Sequence, residues 1–278
     1  MSVKSQLKYF GWSSFAIESA NGTLIFDPLY RKMYGANWSN LNEFIDADII
    51  CLTHGHFDHY IDTPEILKQT DAVVVTSKDI CNHLNTKYKV KKERLLPIKP
   101  FQEINVSNFK ITAFEWGHRE VSILRFLREG LLRAEFFSTF QFAWLNLLKV
   151  PFNAPCFGFY VELADNIKLM NYCEGFNDLM KIEKVRELSR RFKPDILLAG
   201  MQLNFEEQLS EGVAALSPKT VILFHPHEAL FEKFGLKSSS PQMFAEKIKH
   251  KMPDVEVTIA NPQQILTPSS SARRRIMN

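Results

Sequence analysis

Short apolar runs closed by turn residues recur along the first part of the chain. They predict strands over 8–10, 15–18 and 23–26, with Asn21-Gly22 as the hairpin turn between the last two. A stronger apolar run, Asp48-Ile49-Ile50-Cys51-Leu52, reads as a buried strand. Thr63-Pro64-Glu65 opens a helix, with Thr63 as its cap and Pro64 at the first helical position. Beyond it the pattern predicts a valine-rich strand at 72–76, a short helix at 77–84 and strands at 94–98 and 109–114. A hairpin over 158–163 and 167–172, turning at Ala164-Asp165-Asn166, begins the second half. Helix 178–190, strand 195–199, helix 206–215, strand 220–224, helix 241–250 and strand 255–259 follow. Strands, then helices, then strands again, in two similar halves, suit two sheets packed face to face with helices outside.

Composition narrows the class. A chain of 278 residues with 45% hydrophobic and 23% charged residues can bury a sizeable globular core. The net charge of +3 is too balanced to imply a nucleic-acid partner. The four cysteines, Cys51, Cys81, Cys156 and Cys173, show no paired spacing, which argues against a disulfide framework. With no cleavage signal at the N-terminus, a cytoplasmic location is expected. The tail from Pro268, with three serines and Arg273-Arg274-Arg275, reads as disordered, leaving one domain over 1–267.

The segment Thr53-His54-Gly55-His56-Phe57-Asp58-His59-Tyr60 changes the picture most. Four potential metal ligands fall within six positions, directly after the buried run. His54 and His56 are two apart and point the same way in an extended chain, so they can share one cation. Asp58 and His59 follow the turn and can reach a second. A strand ending in a ligand-dense loop suits catalytic zinc, which keeps one coordination position open.

This loop resembles the signature of the metallo-β-lactamase-fold hydrolases. Phe10-Gly11-Trp12-Ser13-Ser14-Phe15 and Leu24-Ile25-Phe26-Asp27-Pro28 resemble the opening strands of one branch. That branch holds the bacterial metal-dependent hydrolases, the ascorbate-phosphate lactonases and the N-acyl-phosphatidylethanolamine phospholipase D enzymes. The resemblance implies a four-layer αββα sandwich of two mixed sheets flanked by helices, an α+β fold. It also implies further ligands: His118 ending Phe114-Glu115-Trp116-Gly117-His118, and His225 ending Val221-Ile222-Leu223-Phe224-His225. Where the family shows Gly-Asp-Thr, this chain has Tyr172-Cys173-Glu174-Gly175, so Glu174 is the acid in the bridging slot. The implied set is His54, His56 and His118 on one metal, Asp58, His59 and His225 on the other, and Glu174 between them. Asp27 is expected to accept a hydrogen bond from a ligand histidine. Catalytic work falls to Asp58 and to His227, as a proton donor to the leaving group or a surface residue. His83 and His250 carry no expected role.

Such a site implies two divalent ions, zinc by the imidazole-rich donor set, with manganese or iron as alternatives. Two cations sharing a water make hydroxide available near neutral pH for attack on an ester, lactone or phosphodiester. An iron-dependent oxidoreductase and a non-catalytic metal-binding protein are the competing readings. In the oxygen-reducing di-iron relatives a glutamate stands where His56 does, which argues against redox chemistry.

The most individual stretch is an insertion over 119–155. Leu124, Leu127 and Leu131 interleave with Arg125, Arg128 and Arg133 as an amphipathic helix, and Phe136, Phe137, Phe140 and Trp144 follow. It is too short to span a bilayer. It reads as a helical cap beside the active site or a contact between copies of the chain. A peripheral membrane contact through 121–150 is the sharper alternative, with a lipid-like substrate.

Overall fold

The apolar runs pair into two sheets of seven strands each. In the first, β1 (Gln6–Gly11), β2 (Ser14–Ser19), β3 (Gly22–Phe26), β4 (Ile49–Cys51), β5 (Val73–Thr76) and β6 (Leu95–Pro97) lie in chain order. The second runs outward from β7 (Glu103–Val106) through β8 (Phe109–Glu115), β9 (Phe157–Glu162), β10 (Lys168–Asn171), β11 (Ile196–Gly200) and β12 (Thr220–Phe224) to β13 (Glu256–Ile259). The last strand, β14 (Gln264–Leu266), returns to the first sheet and pairs antiparallel with β1. Each sheet has three antiparallel pairings followed by three parallel ones. The two halves of the chain thus repeat one pattern. This computed structural model describes residues 5–119, 128, 132, 135–145, 150–163, 165–236 and 239–266.

The sheets bury their facing sides against each other. Phe15 meets Phe224 edge-on at 5.0 Å between ring centroids, and Phe26 lies 6.0 Å from Phe159. Ile17, Leu24, Ile111, Val161 and Leu198 fill the same layer. Alternation along each strand leaves a second apolar face outward, and helices cover it. Over the first sheet lie α1 (Phe57–Tyr60), α2 (Thr63–Gln69) and α3 (Lys78–Tyr88), with α4 (Phe136–Trp144) from the insertion. Over the second lie α5 (Ile182–Arg191), α6 (Glu206–Leu216) and α8 (Pro241–Lys251), while α7 (Glu228–Lys233) packs with the first group. The result is the expected four-layer αββα sandwich.

Most expected elements appear within a few residues of their predicted ends, and 220–224 is β12 itself. Three short elements had no clear pattern: β7 is half exposed, β14 is three residues long, and α7 is barely two turns. Thr63 does not cap α2. It is the first residue of that helix, and Asp62 holds the cap position without capping through its side chain. The Asp62 carboxylate instead accepts hydrogen bonds from the backbone of Tyr30 and Arg31 and from the Arg31 guanidinium. Asn166 adopts φ +59° in the β9–β10 turn, as an asparagine tolerates. The amphipathic pattern at 121–133 lies almost wholly outside the described residues, with Arg128 exposed, and so does the tail from Pro268.

Strand polarity sets the position of the site. The parallel strands β3 and β4 end beside the 53–60 loop. In the second sheet β8 runs parallel to β10, β11 and β12, since β9 is antiparallel to both its neighbours. Every ligand-bearing loop therefore leaves from the same edge.

Candidate metal centre

Metal sites are built by aiming each imidazole through the hydrogen bond its other nitrogen makes. In His54, Nδ1 lies 3.0 Å from the Thr53 hydroxyl. In His59, Nδ1 lies 2.8 Å from Oδ2 of Asp27, and in His118 it lies 2.6 Å from the carbonyl of Arg119. In each ring Nδ1 has an oxygen to bond, which turns Nε2 inward. Thr53 is the hub. Its backbone N–H and its hydroxyl both reach Asp27, at 2.8 and 2.6 Å, and its carbonyl accepts from Phe157 N of the second sheet. Asp27 is fully buried and held at φ +43°. Burial pushes its carboxyl pKa up, and the His59 charge and hydrogen bond only partly offset that.

Among the described residues three groups of potential ligand atoms lie each within 4.8 Å of one another; one is His54, His59 and Cys173, and the other two make up the centre. His54, His56 and His118 form the first, and Asp58, Glu174 and His227 the second. His59 Nε2 joins the second, 3.4 Å from Asp58 and 3.2 Å from Glu174. The Glu174 carboxylate lies between the groups. Its Oε1 is 3.2 Å from His59 and 3.3 Å from His227, while Oε2 is 3.5 Å from His118.

The residues fit bound metal by a direct test. His54 Nε2, His118 Nε2 and Asp58 Oδ2 are buried without a well-aligned hydrogen-bond partner. Burying such atoms with nothing to bond is costly, and a metal removes the cost. Charge agrees. Burial holds His54 well below the usual imidazole value and His56 at about 3, so both are neutral donors. Burial alone would raise the carboxyls of Asp58 and Glu174. Charge on His59 and on His227, respectively, with imidazole hydrogen bonds, holds both well below the ordinary range. Burial would lower His59, yet Asp58 and Asp27 raise it well above its usual value.

One expected assignment is corrected. His227, not His225, stands beside the second group. β12 ends at Phe224, so the two-residue alternation of a strand does not carry past it. Pro226 and His227 form a turn, and His227 holds the cap position before α7 with Nε2 3.3 Å from Asp58 Oδ2. Its inward nitrogen faces the carboxylates of both Asp58 and Glu174. His225 packs edge-on against Phe231, and burial holds it at about 4. Away from the centre, Nδ1 of His83 lies 2.7 Å from the Tyr60 hydroxyl, and His250 is exposed in the last turn of α8.

Several supporting residues were not anticipated. Phe152, near the end of the insertion, stacks on His56 at 4.4 Å. A side chain on Gly55 would meet the carbonyl of Pro151, so only glycine lets the returning insertion pass so close. Asn177, also buried, donates to the carbonyls of Gly117 and Glu174 and so ties the His118 loop to the Glu174 loop. Cys173 takes φ +51° just before Glu174, a strained backbone of the kind found at functional sites. An isolated asparagine or threonine gives no periodic signal, so only the adjacency of Thr53 to His54 pointed this way.

Comparison with known proteins agrees with this architecture. Residues 11–129 match the metallo-beta-lactamase superfamily. A protein of Salinibacter ruber named as a UPF0173 metal-dependent hydrolase is 27% identical over 114 residues, 41% of this chain and 45% of that protein. Another of that name, from Bacillus velezensis, is 39% identical over 83 residues, 30% of this chain and 35% of the relative. The chain thus spans less than half the length of these relatives. In structure it is similar to Igni18, a metallo hydrolase from Ignicoccus hospitalis, with a TM-score of 0.65 at 17% identity, over 94% of this chain and 97% of the other. That likeness concerns the fold alone. Over residues 11–129 the chain is thus similar in sequence to the metallo-beta-lactamase superfamily, and over almost all its length it shares the fold of Igni18.

Proposed function

We infer that the protein is a hydrolase holding two divalent cations, with an ester, lactone or phosphodiester as substrate. One observation carries this reading: the two oxygens of Glu174 face different groups of imidazoles, as a carboxylate shared by two ions must. A bound metal pair supplies Lewis acidity and lowers the pKa of water toward neutrality. Zinc suits the three imidazoles of the first group. The chain's residues do the rest. Asp58 and Glu174 are kept ionised, so the anionic charge that balances two cations is built in. Thr53, Asp27 and the Arg119 carbonyl fix the imidazoles before substrate arrives.

An apolar substrate arm has a place to lie. A groove of about 470 Å³ runs between α4 and α2, lined by Ile61, Pro64, Tyr88, Phe140 and Trp144, with Arg31 and Lys68 also at its wall. Apolar walls with cationic groups suit a lipid-like molecule that ends in an anionic head. No helix among the described residues is long and apolar enough to cross a membrane, so contact with lipid would be at a surface.

The test combines elemental analysis of protein purified without chelator with turnover of bis-nitrophenyl phosphate and a simple lactone. About two equivalents of zinc or manganese and cleavage of one substrate are expected. Iron with oxygen uptake would select the oxidoreductase reading instead. A metal-replete protein that cleaves neither substrate would defeat the hydrolase.

A further inference from the structure

Gln202 is buried to 1% exposure, and neither its amide oxygen nor its amide nitrogen has a hydrogen-bond partner among the described residues. A primary amide in that state forfeits up to two donors and an acceptor, a penalty proteins rarely leave standing. Its position says what could satisfy it. Gln202 follows β11, which lies between β10 and β12 in the sheet. Just before it, Gly200 N donates to the carbonyl of Cys173, the residue preceding Glu174. Met201 N donates to the carbonyl of Phe224, at the start of the turn leading to His227. Three residues on, Phe205 lies under the guanidinium of Arg119, the neighbour of His118. The backbone around Gln202 is thus tied to the three second-half loops that bring candidate ligands to the metal centre.

We propose that Gln202 is a substrate-positioning residue whose amide N–H donates to an oxygen of the substrate's acyl or phosphoryl group. Resting on the metal-hydrolase reading, this adds a recognition element to it. Neutral amides suit the role. They donate to a developing negative charge without competing for the cations, as a carboxylate would, and without repelling them, as a lysine would. The same atoms explain the local cost: the site keeps an unpaired group in the free protein because the substrate pairs it. Such groups make a protein less stable than its sequence allows.

The test uses Gln202→Met, which keeps length and flexibility but removes the amide, and Gln202→Glu, which keeps the shape and adds a negative charge. Inorganic phosphate serves as the probe, titrated calorimetrically into metal-loaded protein, with bis-nitrophenyl phosphate turnover alongside. Gln202→Met should hold the wild-type metal content, melt at a higher temperature and bind phosphate about tenfold more weakly. Gln202→Glu should bind it more weakly still. Wild-type phosphate affinity in Gln202→Met, or no phosphate binding by metal-loaded wild type, overturns the proposal and leaves the metal centre intact. A lowered melting temperature in Gln202→Met, or failure of both variants to fold, assigns the amide a structural role and overturns it as well. Absence of metal from the wild type is a separate result, and it removes the underlying reading.

Discussion

At the scale of single residues, the two histidines that follow β12 separate cleanly. His227→Ala removes a group 3.3 Å from both carboxylates of the second cluster and should cost about one equivalent of bound metal. His225→Ala should keep the full complement, and elemental analysis of the two variants checks this. His225 gives a second expectation. Its folded pKa of about 4, set by burial and then by the His227 charge, lies below the value of about 6.5 in the unfolded chain. The unfolded state therefore binds the extra proton, so this contribution to stability is present above about pH 6.5 and is lost as pH falls toward 4. Thermal melts of metal-loaded protein across that window should fall less steeply for His225→Gln than for wild type. The 53–60 loop was legible because its ligands are contiguous and follow an unmistakable strand. Glu174 was legible as the acid in a slot the resemblance supplied. The choice between His225 and His227 was not legible, because it depends on where β12 stops and on the turn at Pro226, which periodicity does not resolve. Gln202 and Asn177 were invisible for a different reason: a lone amide acquires meaning only from what surrounds it.

At the scale of elements, α4 shows how an inserted segment is held. Its inner side places Phe142, 4% exposed, edge-on against Phe57 of α1 at 5.9 Å. Its outer side leaves Phe137 and Phe140 at 78% and 64% exposure. Phe142→Ala should destabilise the protein by about 3 kcal/mol through the cavity it opens. Phe137→Ser should change stability by less than about 0.5 kcal/mol. Chemical denaturation of the two variants measures the contrast, and equal losses would mean the helix packs otherwise. This stretch reads as helical and aromatic, but which aromatics face inward is not legible, since most positions are apolar and no stripe stands out. Strand positions were easier to read: central strands of a two-sheet core are apolar on both faces, and such runs are conspicuous. The edge strands β7 and β14 lack that signal.

At the scale of the whole molecule, the ligands come from both halves of the repeated pattern. The first sheet's loops give His54, His56, Asp58 and His59, and the second sheet's give His118, Glu174 and His227. A cation held by both joins the sheets at one edge, so binding stabilises the folded chain by linkage. Metal at about a thousand times its dissociation constant adds about 4 kcal/mol, on the order of 10 °C in melting temperature. Chelation followed by calorimetry should show a drop of that size, restored by zinc; an unchanged melt would mean the site is not occupied. The fold itself was legible from strand and helix order together with the motif, because few layer arrangements accommodate two such halves.

The pairing of β14 with β1 carries a cost in time. Synthesis produces β1 more than two hundred positions before β14, the neighbour that covers its outer side. Until the ribosome has delivered Leu266, the nascent sheet presents a row of open backbone groups to any other unfinished polypeptide. An interval of hazard for this protein is therefore its own birth, while β1 waits for β14.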